Sequence, residues 1–274
     1  MLGWKIFIQA VNQIYSNFGM AIRLSAVIWV GIFAINILLA YLFTGRFPNE
    51  GLTMEITSSN SSADPYSSNY DPSTPVFIWA WNKIIAILSM IVVYSVGIAS
   101  IAVSWHRFIL LDETSSSMVP KWNWSGTKRY IIVSLKIALM IFVVSFLFGF
   151  VISFLASAGV LKSIYVAFFA GFLAAMIISY LWLRVGLALP SAALGVDHTI
   201  GNSWDLTQSI KGSIWVLLVI LLVLGYVFGD GLRMIIVNKT ALFIIGFFTE
   251  WIVLMVGVGV LTVLYGHLVE KREL

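Results

Sequence analysis

The sequence predicts an all-α, polytopic membrane bundle of six transmembrane helices, preceded by an interfacial amphipathic N-terminal helix. Three observations predict it. Of 274 residues, 60% are hydrophobic and only 10% charged, with a mean hydropathy of +0.99. A soluble domain carries about 25% charged residues, so a water-facing surface is excluded. Six stretches meet the requirement of about 20 mostly apolar residues per span. They lie at 21–44, 76–104, 130–158, 163–189, 213–237 and 241–266. Finally, Trp4, Trp79, Trp81, Trp105, Trp122, Trp124, Trp182, Trp204 and Trp215 fall at the expected span ends, where amphipathic rings sit at the headgroup level. The whole of 1–274 reads as one integral membrane domain.

Taken in order, 3–18 comes first. Trp4, Phe7, Ile8, Val11, Ile14, Tyr15 and Phe18 recur at helical spacing, with Lys5, Gln9, Asn12, Gln13, Ser16 and Asn17 on the other face. Such a helix lies in the membrane interface rather than across it. The span at 21–44 is too long for a signal-peptide core and lacks a short basic leader, so it is read as retained. The connection 45–75 carries Glu50, Glu55, Asp64 and Asp71, a serine run at 58–62 and Pro65, Pro72 and Pro75. That composition marks an outer loop. Of the six prolines, Pro48, Pro65, Pro72, Pro75 and Pro120 fall in loops and Pro190 at a span end, so no span is expected to break. Gly225 and Gly229, and likewise Ala167, Gly171 and Ala175, have the four-residue spacing that lets helices approach closely.

Orientation follows from the basic residues. Lys5, Arg23, Arg107, Lys121, Lys128, Arg129, Lys136, Arg184, Lys211, Lys271 and Arg272 fall on the side of the N-terminus. Arg46, Lys83, Lys162, Arg233 and Lys239 fall on the other. The positive-inside rule then places both termini in the cytoplasm. The absence of cysteine excludes disulfides, thiolate nucleophiles and Cys-ligated metals.

Two connections on the side of the termini match each other. The second span ends Trp105-His106-Arg107, followed by Trp124-Ser-Gly-Thr127; the fourth ends Trp182-Leu183-Arg184, followed by Trp204-Asp-Leu-Thr207. Both read Trp-x-Arg, then Trp-x-x-Thr, a basic residue and a new span. They suggest an internal repeat of three units, each an interfacial helix plus a two-span hairpin, related by an axis along the membrane normal. The stretch from Arg184 through Pro190 to Gly195, with Asn202-Ser-Trp204-Asp-Leu-Thr207, resembles a pattern of bacterial membrane proteins. These are the membrane domains similar to that fused to glycerophosphoryl diester phosphodiesterases, and uncharacterised six-span relatives. Trp105-His106-Arg107-Phe108 resembles their equivalent first loop. The likeness covers about 105–215 and implies a helical bundle in a bacterial inner membrane. It implies no phosphodiesterase activity, because a catalytic barrel needs about 250 residues of its own.

Catalytic signatures are missing. There is no Gly-x-Ser-x-Gly elbow, no phosphate-binding Gly-x-x-x-x-Gly-Lys loop and no His-Glu-x-x-His. His106 is read as a headgroup-facing anchor beside Arg107, and Asp112-Glu113 as part of a local charge cluster. Glu250 stands apart. Ten residues into the sixth span, it lies about 15 Å deep at 1.5 Å per residue, where a charge costs about 3 kcal/mol on insertion scales. Left alone there, it would either take up a proton or find a cation. Lys83, about 10 Å deep in the second span on the same side, is the first candidate and Arg233 the second, while Lys136 and Arg184 are expected to snorkel the opposite way. The pairing requires the second and sixth spans to be neighbours. The functional expectation is a non-enzymatic inner-membrane protein that scaffolds or assists other membrane components. The alternative is a carrier for a small solute, ion or lipid with Glu250 in its path. Membrane lipids and other membrane proteins are the expected partners; no cofactor, metal or nucleic acid is implied.

Overall fold

The computed structural model describes residues 2–44, 76–113, 122–159, 163–196 and 198–274; the side chains of 44, 76–83, 164, 167, 230 and 239 lie outside that description. The 45–75 loop, and the side chains of Lys83 and Ala167, therefore lie outside the described residues. The described residues are mostly helical: α1 (Leu2–Ser16), α2 (Phe18–Thr44), α3 (Val76–Leu111), α4 (Trp124–Ser157), α5 (Ile164–Val185), α6 (Ala188–Leu194), α7 (Ile200–Leu206), α8 (Lys211–Tyr226), α9 (Leu232–Ile235) and α10 (Lys239–Leu268). Among the described residues there is no strand, and six helical stretches are long and apolar enough to cross a membrane. The protein is a multi-pass, all-α membrane bundle.

Both termini lie at one end of the bundle, because α1 packs against the last three turns of α10 and the start of α8. Most of the buried residues gather at this terminus-bearing end. Ile101, Ala102 and Trp105 of α3, Tyr130 and Ile137 of α4, all of α6 from Ala188 to Ala193, and Val258 to Leu264 of α10 belong to it. Beyond Ile137, no residue of α4 is buried. Phe142, Phe146, Phe150 and Phe154, four residues apart, stand exposed on its far half, a surface suited to hydrocarbon rather than water.

Several expectations are corrected. The face that α1 turns to the protein is centred on Gly3, Ile6 and Ala10, with Phe7, Val11 and Ile14 of the expected apolar stripe half-buried beside it, whereas Trp4, Ile8, Tyr15 and Phe18 of that stripe are exposed. The helix has three sides: one for protein, one apolar and outward, one polar with Lys5, Gln9 and Asn12. Close approach selects Gly3, because a Cβ there would run into the carbonyl oxygen of Ser213 on α8. Around Gly171, Gly225 and Gly229, in contrast, no atom of a neighbouring helix lies within 4 Å of where a Cβ would stand, so a side chain there would meet no helix–helix contact. The glycine that lets spans meet closely is Gly97, whose Cβ would overlap Ile32 on α2.

The fourth span runs Phe168–Leu194, but its hydrogen-bond ladder is interrupted at Gly186 and Leu187, which keep right-handed helical angles. Helix α5 stops at Val185 and α6 restarts at Ala188. Pro190 explains the break: it cannot donate to the carbonyl four residues back, and its ring crowds that group. That carbonyl is Gly186, whose oxygen accepts from Leu189 N instead, at 3.0 Å. A proline placed near a span end thus interrupts the hydrogen-bond ladder one turn upstream while the span itself runs on. The fifth span departs too, passing from α8 through a π-helical turn, Val227–Gly231, into α9. Among the described residues of this connection, Asn123 caps α4 by accepting from Gly126 N at 2.9 Å, and Trp124 already stands in the first turn of α4.

Candidate functional site

Helices α2, α3 and α10 meet around two tryptophans. Trp29 Nε1 on α2 donates to Phe247 O on α10 at 3.1 Å. One turn along, Trp251 Nε1 on α10 donates to Ser25 Oγ on α2 at 2.8 Å, and Ser25 passes its own proton to Ala21 O at 2.6 Å. Phe33 meets Phe247 edge-on, with centroids 4.5 Å apart. These contacts fix the rotation of α10, so that Glu250, between Phe247 and Trp251 in sequence, faces the gap beside them. Across it, α2 and α3 touch where Gly97 admits Ile32.

The result is a groove of about 320 Å³ lined by Ile32, Phe33, Asn36, Met90, Ile91, Tyr94, Ser95 and Glu250. Its walls are mainly apolar, with four polar side chains, a composition and size typical of small-molecule sites. Glu250 is exposed into it and interacts electrostatically with Tyr94 on α3 and with Arg233 on α9. The required neighbourhood of the second and sixth spans is present, since α3 packs on α10. The Lys83 half of the pair lies outside the described residues; among those described, Arg233, the second candidate, acts electrostatically on Glu250. Asn36, Tyr94 and Ser95 escaped the sequence reading. Their signal was a polar residue inside an apolar span, visible for Asn36, whose Nδ2 donates to Ile32 O at 2.8 Å and so hides half of its polarity within its own helix. Among the described residues no cluster of His, Asp or Glu could hold a metal ion.

The interfacial motif builds a second arrangement, at the terminus-bearing end. Arg184 is buried, 4% exposed, and does not snorkel. Its Nε donates to Thr207 Oγ1 at 3.1 Å, and one terminal nitrogen donates to Trp204 O at 2.6 Å and Gln208 Oε1 at 3.0 Å. The guanidinium lies 3.5 Å from the centroid of the Trp204 ring. Three of the four residues singled out in the second copy are therefore one cluster, and Trp182, two residues before Arg184, stands half-exposed outside it.

The first copy is held differently. Arg107 pairs with Glu113 and reaches Ala193 O at 3.2 Å. Thr127 is buried, Trp124 is exposed and stacks on Trp122, and neither is hydrogen-bonded to Arg107. Trp105 is buried, as is His106, which is no headgroup anchor. Thr262 Oγ1 donates to Val258 O, so it accepts from His106 Nδ1 at 2.8 Å, which puts the imidazole proton on that nitrogen. What the connections share is arginines on helix C-termini. Arg129 donates to Ala192 O at 3.3 Å beside Arg107 at the end of α6, Arg184 serves the end of α7, and Arg272 donates to Ile109 O and Leu110 O at 3.1 and 3.0 Å at the end of α3. Each satisfies carbonyls that a helix end leaves open and opposes the negative pole of its dipole.

Fold and site together define a multi-pass membrane bundle with a carboxylate-bearing groove between its spans and an arginine-braced end. Comparison with family models, curated proteins and solved structures finds no match.

Proposed function

We propose that this is a non-enzymatic integral membrane protein of a bacterial inner membrane, with both termini in the cytoplasm, that takes up a small amphiphilic solute sideways from the bilayer. The observation that carries this reading is the α2–α3–α10 groove, with its apolar walls and a carboxylate at membrane depth. Intramembrane ionisable residues mark solute or ion paths. Excess Lys and Arg on the side of the termini supports the orientation. The arginine-braced end favours a second reading, a scaffold that presents a rigid layer to other membrane components.

Purification in mild detergent, followed by mass spectrometry of what accompanies the protein, separates the two. The carrier reading expects a small amphiphile that is retained by the wild type and lost from Ile91→Trp, which fills the groove. Proteins retained equally by both, with no small molecule, would decide for the scaffold.

A further inference from the structure

We propose that the groove selects a lipophilic organic cation: an apolar or aromatic body carrying one positive charge. The inference rests on the uptake reading above and adds the sign of the ligand's charge. Its first support is electrostatic. The groove's walls offer hydrocarbon and rings, from Ile32, Phe33, Met90, Ile91 and Tyr94, and among the described lining residues the one formal charge is the Glu250 carboxylate. At this depth no bulk water screens that charge, so its sign discriminates far more strongly than on a water-facing surface. An anion of the same shape would meet it head-on.

The second support is geometric. Glu250 lies about 17 Å along α10 from Lys239, at 1.5 Å per residue, so the charge of a bound ligand would sit deep in the hydrocarbon. A zwitterionic or strongly hydrated headgroup would lose its water on reaching it. A cation whose charge is spread over an apolar body loses little, and the aromatic faces of Phe33 and Tyr94 add attraction to it. Arg233 acts on the same carboxylate from α9, so the ligand's charge and Arg233 compete for Glu250.

The test uses tetraphenylphosphonium and tetraphenylborate, which share shape and apolar surface and differ in sign, with binding to the full chain in dodecyl maltoside followed by equilibrium dialysis. The wild type is expected to bind the phosphonium at least about tenfold more tightly than the borate, the factor that one charge-assisted contact supplies. Glu250→Gln, which keeps the shape, should erase that preference, and Ile91→Trp should abolish binding of both ions. Arg233→Gln should tighten the phosphonium. Helical circular dichroism and size exclusion establish that each variant is folded. Equal affinity for the two ions, or a preference that survives Glu250→Gln, would overturn the charge assignment while leaving the groove as a binding site. If neither ion binds, and no amphiphile that Ile91→Trp releases accompanies the wild type, the uptake reading itself falls.

Discussion

Arg184 shows how a single side chain can hold a turn that propensity alone would not. Its fork meets a hydroxyl, a carbonyl and an amide oxygen while its plane lies on Trp204, so lysine, with one point charge and no plane, is a poor substitute. Arg184→Lys is expected to lower stability by about 2 kcal/mol, read as thermal unfolding in detergent. Thr207→Val should cost about 1 kcal/mol, and the double variant less than the sum, since both remove one hydrogen bond. Additive losses would mean that the two residues act separately. The sequence picked out Arg184, Trp204 and Thr207 as a motif from their repetition. It did not foretell that they bond to one another, because a separation of twenty or more residues carries no distance until the chain turns. Glu250 was legible for the opposite reason: a carboxylate inside an apolar span needs no partner to be conspicuous. Its groove mates were not, because Tyr94 and Ser95 are ordinary residues on a helix surface until α10 is set against them.

At the scale of elements, α1 and α6 depart furthest from what periodicity suggests. An amphipathic pattern identifies an apolar face but not which solvent it meets, and in a membrane the apolar face can turn to lipid while small residues turn to protein. That is the case for α1, where Gly3 and Ala10 give the close contact and Trp4 and Tyr15 point away. Gly3→Ala should therefore loosen α1 by about 1–3 kcal/mol, the range for overpacking against a backbone that cannot retreat. Faster hydrogen exchange of α1 amides would register it. Gly19→Ala is the matched control, since open space surrounds it and alanine favours helix; if both changes slowed exchange alike, the docking argument would be wrong. The break before α6 was hidden by the position of its cause, for a proline disturbs the turn before it rather than the place where it stands.

For the molecule as a whole, the six spans were readable because hydrocarbon requires each crossing segment to satisfy its own backbone, which forces long apolar helices. Their orientation is checked by reporter fusions at residues 60 and 274, which should report opposite compartments; agreement would reject the even-span arrangement. The concentration of buried residues at the terminus-bearing end has a mechanical consequence. A structure fastened at one end and lightly joined at the other behaves as a set of levers on a common fulcrum. Thinner or thicker bilayers load the free tips through hydrophobic mismatch, and the tips of α2 and α4 can part without tearing the packed layer. Spin labels at Leu42 and Phe154 should accordingly change separation between dilauroyl and dioleoyl bilayers, while labels at Phe18 and Ile132 stay fixed. Equal movement of both pairs would show a rigid body. Because the carboxylate-bearing groove lies between α2, α3 and α10 on the lever side of that fulcrum, membrane thickness becomes a force on the width of its mouth.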